Sequence, residues 1–252
     1  LVAGVGNVIP ARSALTVGSA ATFDINNQAQ TVGSLTGSGL VMSSGGTAGI
    51  VFTTGRDDTS TTFSGRFAPT TAANLALTKV GAGTFTLNPS AASTYTGTTL
   101  VQGGSLVLDF ANSGVLTSLL AATPLTIAGG DFTLKGRAGL ATVQTLGNVN
   151  INQDGGKISV IAGDTTLTKL VLGTIGFGTA TNSGTLLVSA PANTQITTAQ
   201  TLTNGIYGSG RAVFTDGTTY DWLSTASGAA PYVLSGLAAL GAAADRRWSR
   251  PR

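Results

Sequence analysis

Gly103-Gly104-Ser105-Leu106-Val107-Leu108 recurs in layout as Gly129-Gly130-Asp131-Phe132-Thr133-Leu134, and again as Gly155-Gly156-Lys157-Ile158-Ser159-Val160. The second glycines, Gly104, Gly130 and Gly156, are evenly spaced. Gly184 arrives two places late on that interval, and Gly210 restores it. Apolar side chains follow two and four places on, as Leu186 and Val188, then Ala212 and Phe214. A turn followed by a period-two strand, repeated at a fixed interval, predicts a spiral of stacked coils.

The expected fold is therefore all-β, a parallel β-helix (β-solenoid) with coils of about 26 residues. Gly104, Gly130, Gly156, Gly184 and Gly210 are read as repeat turns. Leu106, Phe132, Ile158 and Leu186 are expected to form one buried column. The same register places Asp131 beside Lys157, and Asp109 beside Lys135, on adjacent coils.

Outward from this stretch the pattern loosens. Gly83 precedes Phe85 and Leu87 in the same way, yet it lies closer to Gly104 than the interval requires. Residues 1–69 read as the same spiral with uneven coils. The solenoid is expected over residues 1–236, with its clearest repeats at 77–215. An alanine-rich stretch at 237–243 reads as a short helix, and a basic tail closes the chain at 252.

Composition agrees with this reading. The chain is 42% hydrophobic and 9% charged, against about 25% charged in ordinary soluble domains. Small hydroxyl residues and 36 glycines take the place of charges. Threonine suits a pleated surface, and glycine suits tight corners. The net charge of +3 equals that of residues 245–252, which hold four arginines and one aspartate. The body sums to zero, so no nucleic-acid partner is expected. No apolar run reaches the roughly 18 residues of a spanning helix, so no membrane insertion by this segment is expected.

Cysteine and histidine are absent, and all acidic residues are Asp. A thiolate metal site, a cysteine nucleophile and a histidine base are excluded. No cofactor and no metal are expected. Asp57-Asp58 supplies too few oxygens for calcium and reads as a solvated loop. Gly129-Gly130-Asp131-Phe132 falls on the repeat and reads as a turn. Polysaccharide cleavage on a β-helix needs paired carboxylates, whereas Asp131 and Asp154 stand on different turns. No catalytic residues are assigned, and the chain is not expected to be an enzyme.

One polar cluster remains as a weak surface-binding candidate: Asp216, Tyr220, Asp221 and Trp222. Asp216-Gly217 reads as a hairpin turn. Trp222 reads either as a platform for a sugar or, preferentially, as a residue closing the core at the end of the spiral.

Residues 77–108 also carry a resemblance. The segment opens Leu77-Thr78-Lys79-Val80-Gly81-Ala82-Gly83-Thr84-Phe85-Thr86-Leu87. It continues through Tyr95-Thr96-Gly97-Thr98-Thr99-Leu100-Val101 and closes Gly104-Ser105-Leu106-Val107-Leu108. It resembles the autotransporter-associated β-strand repeat, with its LTK-x-G-x-GTLTL opening, YTG-x-T-x-V centre and G-x-L-x-L close. Phe85 stands where that family usually has Leu. The resemblance implies an extracellular, bacterial passenger region, at the cell surface or secreted, built as a β-helical spiral.

The function expected is a structural stalk or adhesive scaffold. The alternatives are a polysaccharide-active β-helix enzyme (lyase or hydrolase) and a self-assembling fibre subunit. The partners that fit are a glycan or cell-surface ligand on the Thr- and Asn-rich face, and further copies of the chain through the solenoid ends.

Overall fold

The computed structural model describes residues 1–45, 49–70, 75–115, 117–178, 184–200, 207, 210–225 and 230–236. The alanine-rich stretch and basic tail at 237–252 lie outside them. Among the described residues every regular element is a β-strand.

The first coil carries β1 (Ala14–Val17), β2 (Thr22–Asp24) and β3 (Gln30–Thr31). The second carries β4 (Ser34–Gly37), β5 (Leu40–Met42) and β6 (Ile50–Thr54). The third carries β7 (Thr61–Phe63), β8 (Arg66–Phe67) and β9 (Leu75–Lys79). Two coils follow with β10 (Thr84–Leu87) and β11 (Thr99–Val101), then β12 (Ser105–Asp109) and β13 (Leu125–Ile127). Three strands per coil return with β14 (Asp131–Lys135), β15 (Thr142–Thr145) and β16 (Val149–Ile151). β17 (Gly156–Ile161), β18 (Thr168–Leu172) and β19 (Ile175–Phe177) form the next coil. β20 (Leu186–Ser189), β21 (Thr194–Thr198) and β22 (Ala212–Thr215) come after it. β23 (Tyr220–Thr225) and β24 (Tyr232–Gly236) end the described chain.

Like stacks on like, in parallel. One wall runs β1-β4-β7-β10-β12-β14-β17-β20-β22, and a second runs β3-β6-β9-β11-β13-β16-β19. The third side is built from β2-β5-β8 and β15-β18-β21. Single bridges, Ser93 with Leu120 and Thr117 with Val143, continue it between those two groups. The chain is a β-solenoid.

The register explains the glycine interval. On the first wall Phe85 faces Leu106, Leu106 faces Phe132, and Phe132 faces Ile158. These side chains are buried. The fourth step differs from the expected column: Ile158 faces Val188, and Leu186 faces Gly156. The reason lies at the corner. β17 begins on its glycine, and Gly184 packs there on Gly155, where an added Cβ would lie 2.1 Å from the Gly155 nitrogen. The pairing of Ile158 with Val188 thus runs two places further along the chain than the step from Gly156 to Gly184. Leu186 remains buried and faces Ala212 on the next coil.

The N-terminal coils are uneven. On the first wall Ala14 pairs with Ser34, Gly37 with Phe63, and Thr61 with Phe85, so the step along the chain changes from coil to coil. Aromatic rings fill this part of the core. Phe23, Phe52, Phe67 and Tyr95 follow one another at centroid distances of 6.5, 5.7 and 6.0 Å, with Phe63 5.5 Å from Phe67. These separations suit tilted and edge-to-face packing.

The C-terminal end is closed by a hairpin. β23 runs antiparallel to β22, and β24 runs antiparallel to both β23 and β21. The hairpin thereby joins the last strand of the first wall to the last strand of the third side. Leu223 and Leu234 point into the core and are buried. Trp222 is not the residue that covers the core. It lies one place from Leu223 on β23, so it projects from the opposite face and is half-buried.

Candidate functional site

The repeat at 77–108 spans β9 to β12, and its marked residues point inward. Leu77, Phe85, Leu87, Tyr95, Val101, Leu106 and Leu108 are all buried. The segment crosses both walls. β9 pairs with β11, and β10 pairs with β12. One repeat therefore supplies two successive rungs of each ladder.

Lys79 is its unusual member. It follows the inward parity of Leu77 and is fully buried. Its Nζ donates to three backbone carbonyls: Val80 O at 2.7 Å, Gly81 O at 2.9 Å and Gly103 O at 3.2 Å. The first two belong to its own corner and the third to the next coil. Gly55, on the preceding coil, leaves room for the ammonium, since an added Cβ there would lie 3.2 Å from Nζ. Burial lowers the Lys79 pKa, and the charge of Asp58 works in the opposite sense. The sequence offered one signal for this role, a cation at an inward place of a strand.

Tyr95 anchors a second polar link inside the core. Its hydroxyl lies 2.7 Å from Thr99 Oγ1, which lies 3.2 Å from Thr123 Oγ1 on the next coil. Burial pushes the Tyr95 phenol pKa up, outweighing the hydrogen bond with Thr99. Polar groups at this depth hold position only when paired, so the link fixes how neighbouring coils stack.

The scattered carboxylates serve turns and corners. Asp57 accepts from Thr59 N at 3.1 Å and Thr59 Oγ1 at 2.7 Å, and Asp58 accepts from Ala82 N at 2.8 Å. Asp109 forms an ion pair with Lys135, Oδ2 to Nζ 3.1 Å. Asp131 and Lys157 are register neighbours; no ion pair between them is present among the described residues.

The four surface candidates lie on β23 and on the turn that leads into it from β22, in different roles. Asp216 Oδ1 accepts from Thr218 N at 2.8 Å, Thr218 Oγ1 at 2.8 Å and Thr219 N at 2.7 Å. These bonds, led by those from the Thr219 and Thr218 backbone, hold its pKa well below the usual carboxylate range. Asp216 thus builds the turn. Asp221 Oδ1 accepts from Trp222 N at 2.7 Å, and Asp221 lies across from Phe214. Tyr220 and Trp222 share the other face of β23, opposite Thr215 and Val213. Tyr220 is 73% exposed. A shallow depression of about 250 Å³ is lined by Val213, Tyr220, Asp221 and Trp222.

No curated protein and no solved structure matches the chain. Residues 77–108 match the passenger-associated-transport-repeat family, and this stretch is a repeat of the kind found in autotransporter passenger domains.

Proposed function

We propose that this chain is a stalk or adhesive scaffold in the passenger region of a bacterial surface or secreted protein, and that it is not a catalyst. The observation that carries the reading is the passenger-type repeat at 77–108 set within a parallel solenoid. Its marked residues face inward, where they stack coils. Stacked repeats convert sequence length into a stiff rod, because each coil contacts its neighbours alone. The carboxylates considered for catalysis support the same reading. Asp216 is tied into its turn. Asp131 and Asp154 are exposed on separate coils.

The test is incubation of the purified chain with neutral and acidic polysaccharides, followed by measurement of new reducing ends and of unsaturated uronate absorbance. No cleavage is expected. Cleavage that disappears in Asp131→Ala or Asp216→Ala would overturn the structural reading and restore the enzyme alternative.

A further inference from the structure

We infer that the outer face of the closing hairpin is a carbohydrate-binding site, in which Tyr220 and Trp222 form a stacking platform for a pyranose ring of a neutral glycan. This rests on the adhesive form of the function proposed above and names its ligand class and residues.

The geometry begins with strand alternation. Residues two apart on a strand share a face, so Tyr220 and Trp222 lie side by side. Their partners across the hairpin, Thr215 and Val213, share that face. In register behind them come Ser189 and Leu187 of β20. The platform is thus continuous with the outward face of the first wall, on fixed strands.

Tyr220 differs from the tyrosines of the core. Tyr95 and Tyr207 are buried, whereas Tyr220 is the most exposed tyrosine described and stands beside an indole. Among the described residues, neither the Tyr220 hydroxyl nor the Trp222 indole N–H has a hydrogen-bond partner. Aromatic faces with a polar tip suit a surface that must bind a partly apolar, partly hydroxylated ligand. A sugar ring has that character: C–H groups for the aromatic faces and hydroxyls for the two polar tips.

Size and charge narrow the ligand. The depression of about 250 Å³ is shallow and small, with room for one sugar ring and its immediate neighbour. No cation lines it. An anionic sugar would find no counter-charge in that lining, so the neutral class is selected.

The experiment uses the full chain carrying Trp248→Phe, which leaves Trp222 as the single indole. Its fluorescence is titrated with maltohexaose, laminarihexaose and cellohexaose, and with polygalacturonate as the anionic control. A saturable change with at least one neutral hexaose is expected, with none from polygalacturonate. Tyr220→Ala is expected to weaken binding about tenfold or more, and Tyr220→Phe to retain most of it. Because Tyr220 is exposed, these variants should keep the parent circular dichroism and melting temperature.

The inference is overturned by no saturable change with any of the three, by binding that Tyr220→Ala leaves intact, or by preference for polygalacturonate. A fluorescence change that tracks protein concentration without sugar would assign the platform to a second copy, and would also overturn it. None of these results touches the scaffold reading, which stands or falls on polysaccharide cleavage.

Discussion

A buried ammonium is unfavourable unless each of its N–H groups finds an acceptor. Lys79 finds three, and because one of them is Gly103 O on the next coil, its charge ties adjacent corners together. Replacement by methionine keeps much of the volume and removes the donors. Hydrogen bonds to a charged group contribute about 1.5–3 kcal/mol, so Lys79→Met should lower unfolding stability by about that amount in urea titration. Lys157→Met, at a half-buried outward place, should change it by less than about 0.5 kcal/mol. Equal effects of the two substitutions would remove the coil-tying role.

Asp24 makes the matching argument for an anion. Burial alone would raise its pKa, but hydrogen bonds from Ser44 and from Asn26 N, the latter at 2.8 Å, lower it overall. Asp57 is lowered in the same way by Ser34 and Thr59, against burial. The unfolded chain therefore binds these protons more readily than the folded chain. Stability from both groups is complete above the ordinary value of 3.8 and is lost as pH falls through the lower folded values. Melting temperature should be level above about pH 5 and decline below it. Asp24→Asn should lower stability at neutral pH and flatten that decline.

At the scale of the strand, one register step separates what the sequence predicts from what the molecule does. The repeat of glycine and alternating apolar residues was legible because turn and strand recur together, and Leu106, Phe132 and Ile158 fall in line. The next step was not legible from the glycine spacing. Gly156 opens β17 as a paired strand residue, while Gly184 stays on the corner before β20. A corner can absorb residues without changing the period-two pattern on either side. The buried place of Lys79 was hidden for a related reason: three carbonyls converge on it only after two coils have stacked. The pairing of Lys157 with Leu187 can be tested directly, since the native chain has no cysteine. Neighbouring parallel strands bring Cα atoms within disulfide reach, about 4.4–6.8 Å. Lys157→Cys with Leu187→Cys should oxidise to one cross-linked species, visible as a gel shift reversed by reductant. Lys157→Cys with Thr185→Cys, the pairing that the glycine spacing predicts, should not.

At the scale of the whole molecule the two ends of the spiral differ. At the N-terminal end β1 has β4 as its neighbour, and Leu1, Val2, Val5 and Val8 are exposed. At the other end, β23 and β24 occupy the edges of β22 and β21. Those edges read Ala212-Val213-Phe214-Thr215 and Thr194-Gln195-Ile196-Thr197-Thr198, without a single charge. An uncovered strand of this kind, with unpaired N–H and C=O groups and no lysine or proline to guard it, recruits other strands. A chain ending at Thr215 should therefore associate in a concentration-dependent way, read as rising mass in size-exclusion chromatography with light scattering. Val213→Lys in the shortened chain should suppress that association by placing a charge beside the exposed edge. The hairpin also buries Leu223 and Leu234, so its loss should lower the melting temperature as well. The two effects separate in the Val213→Lys variant, in which mass should return to that of one chain while the melting temperature stays low. A shortened chain that remains monomeric at every concentration would show that the hairpin contributes core packing and does not guard the edge.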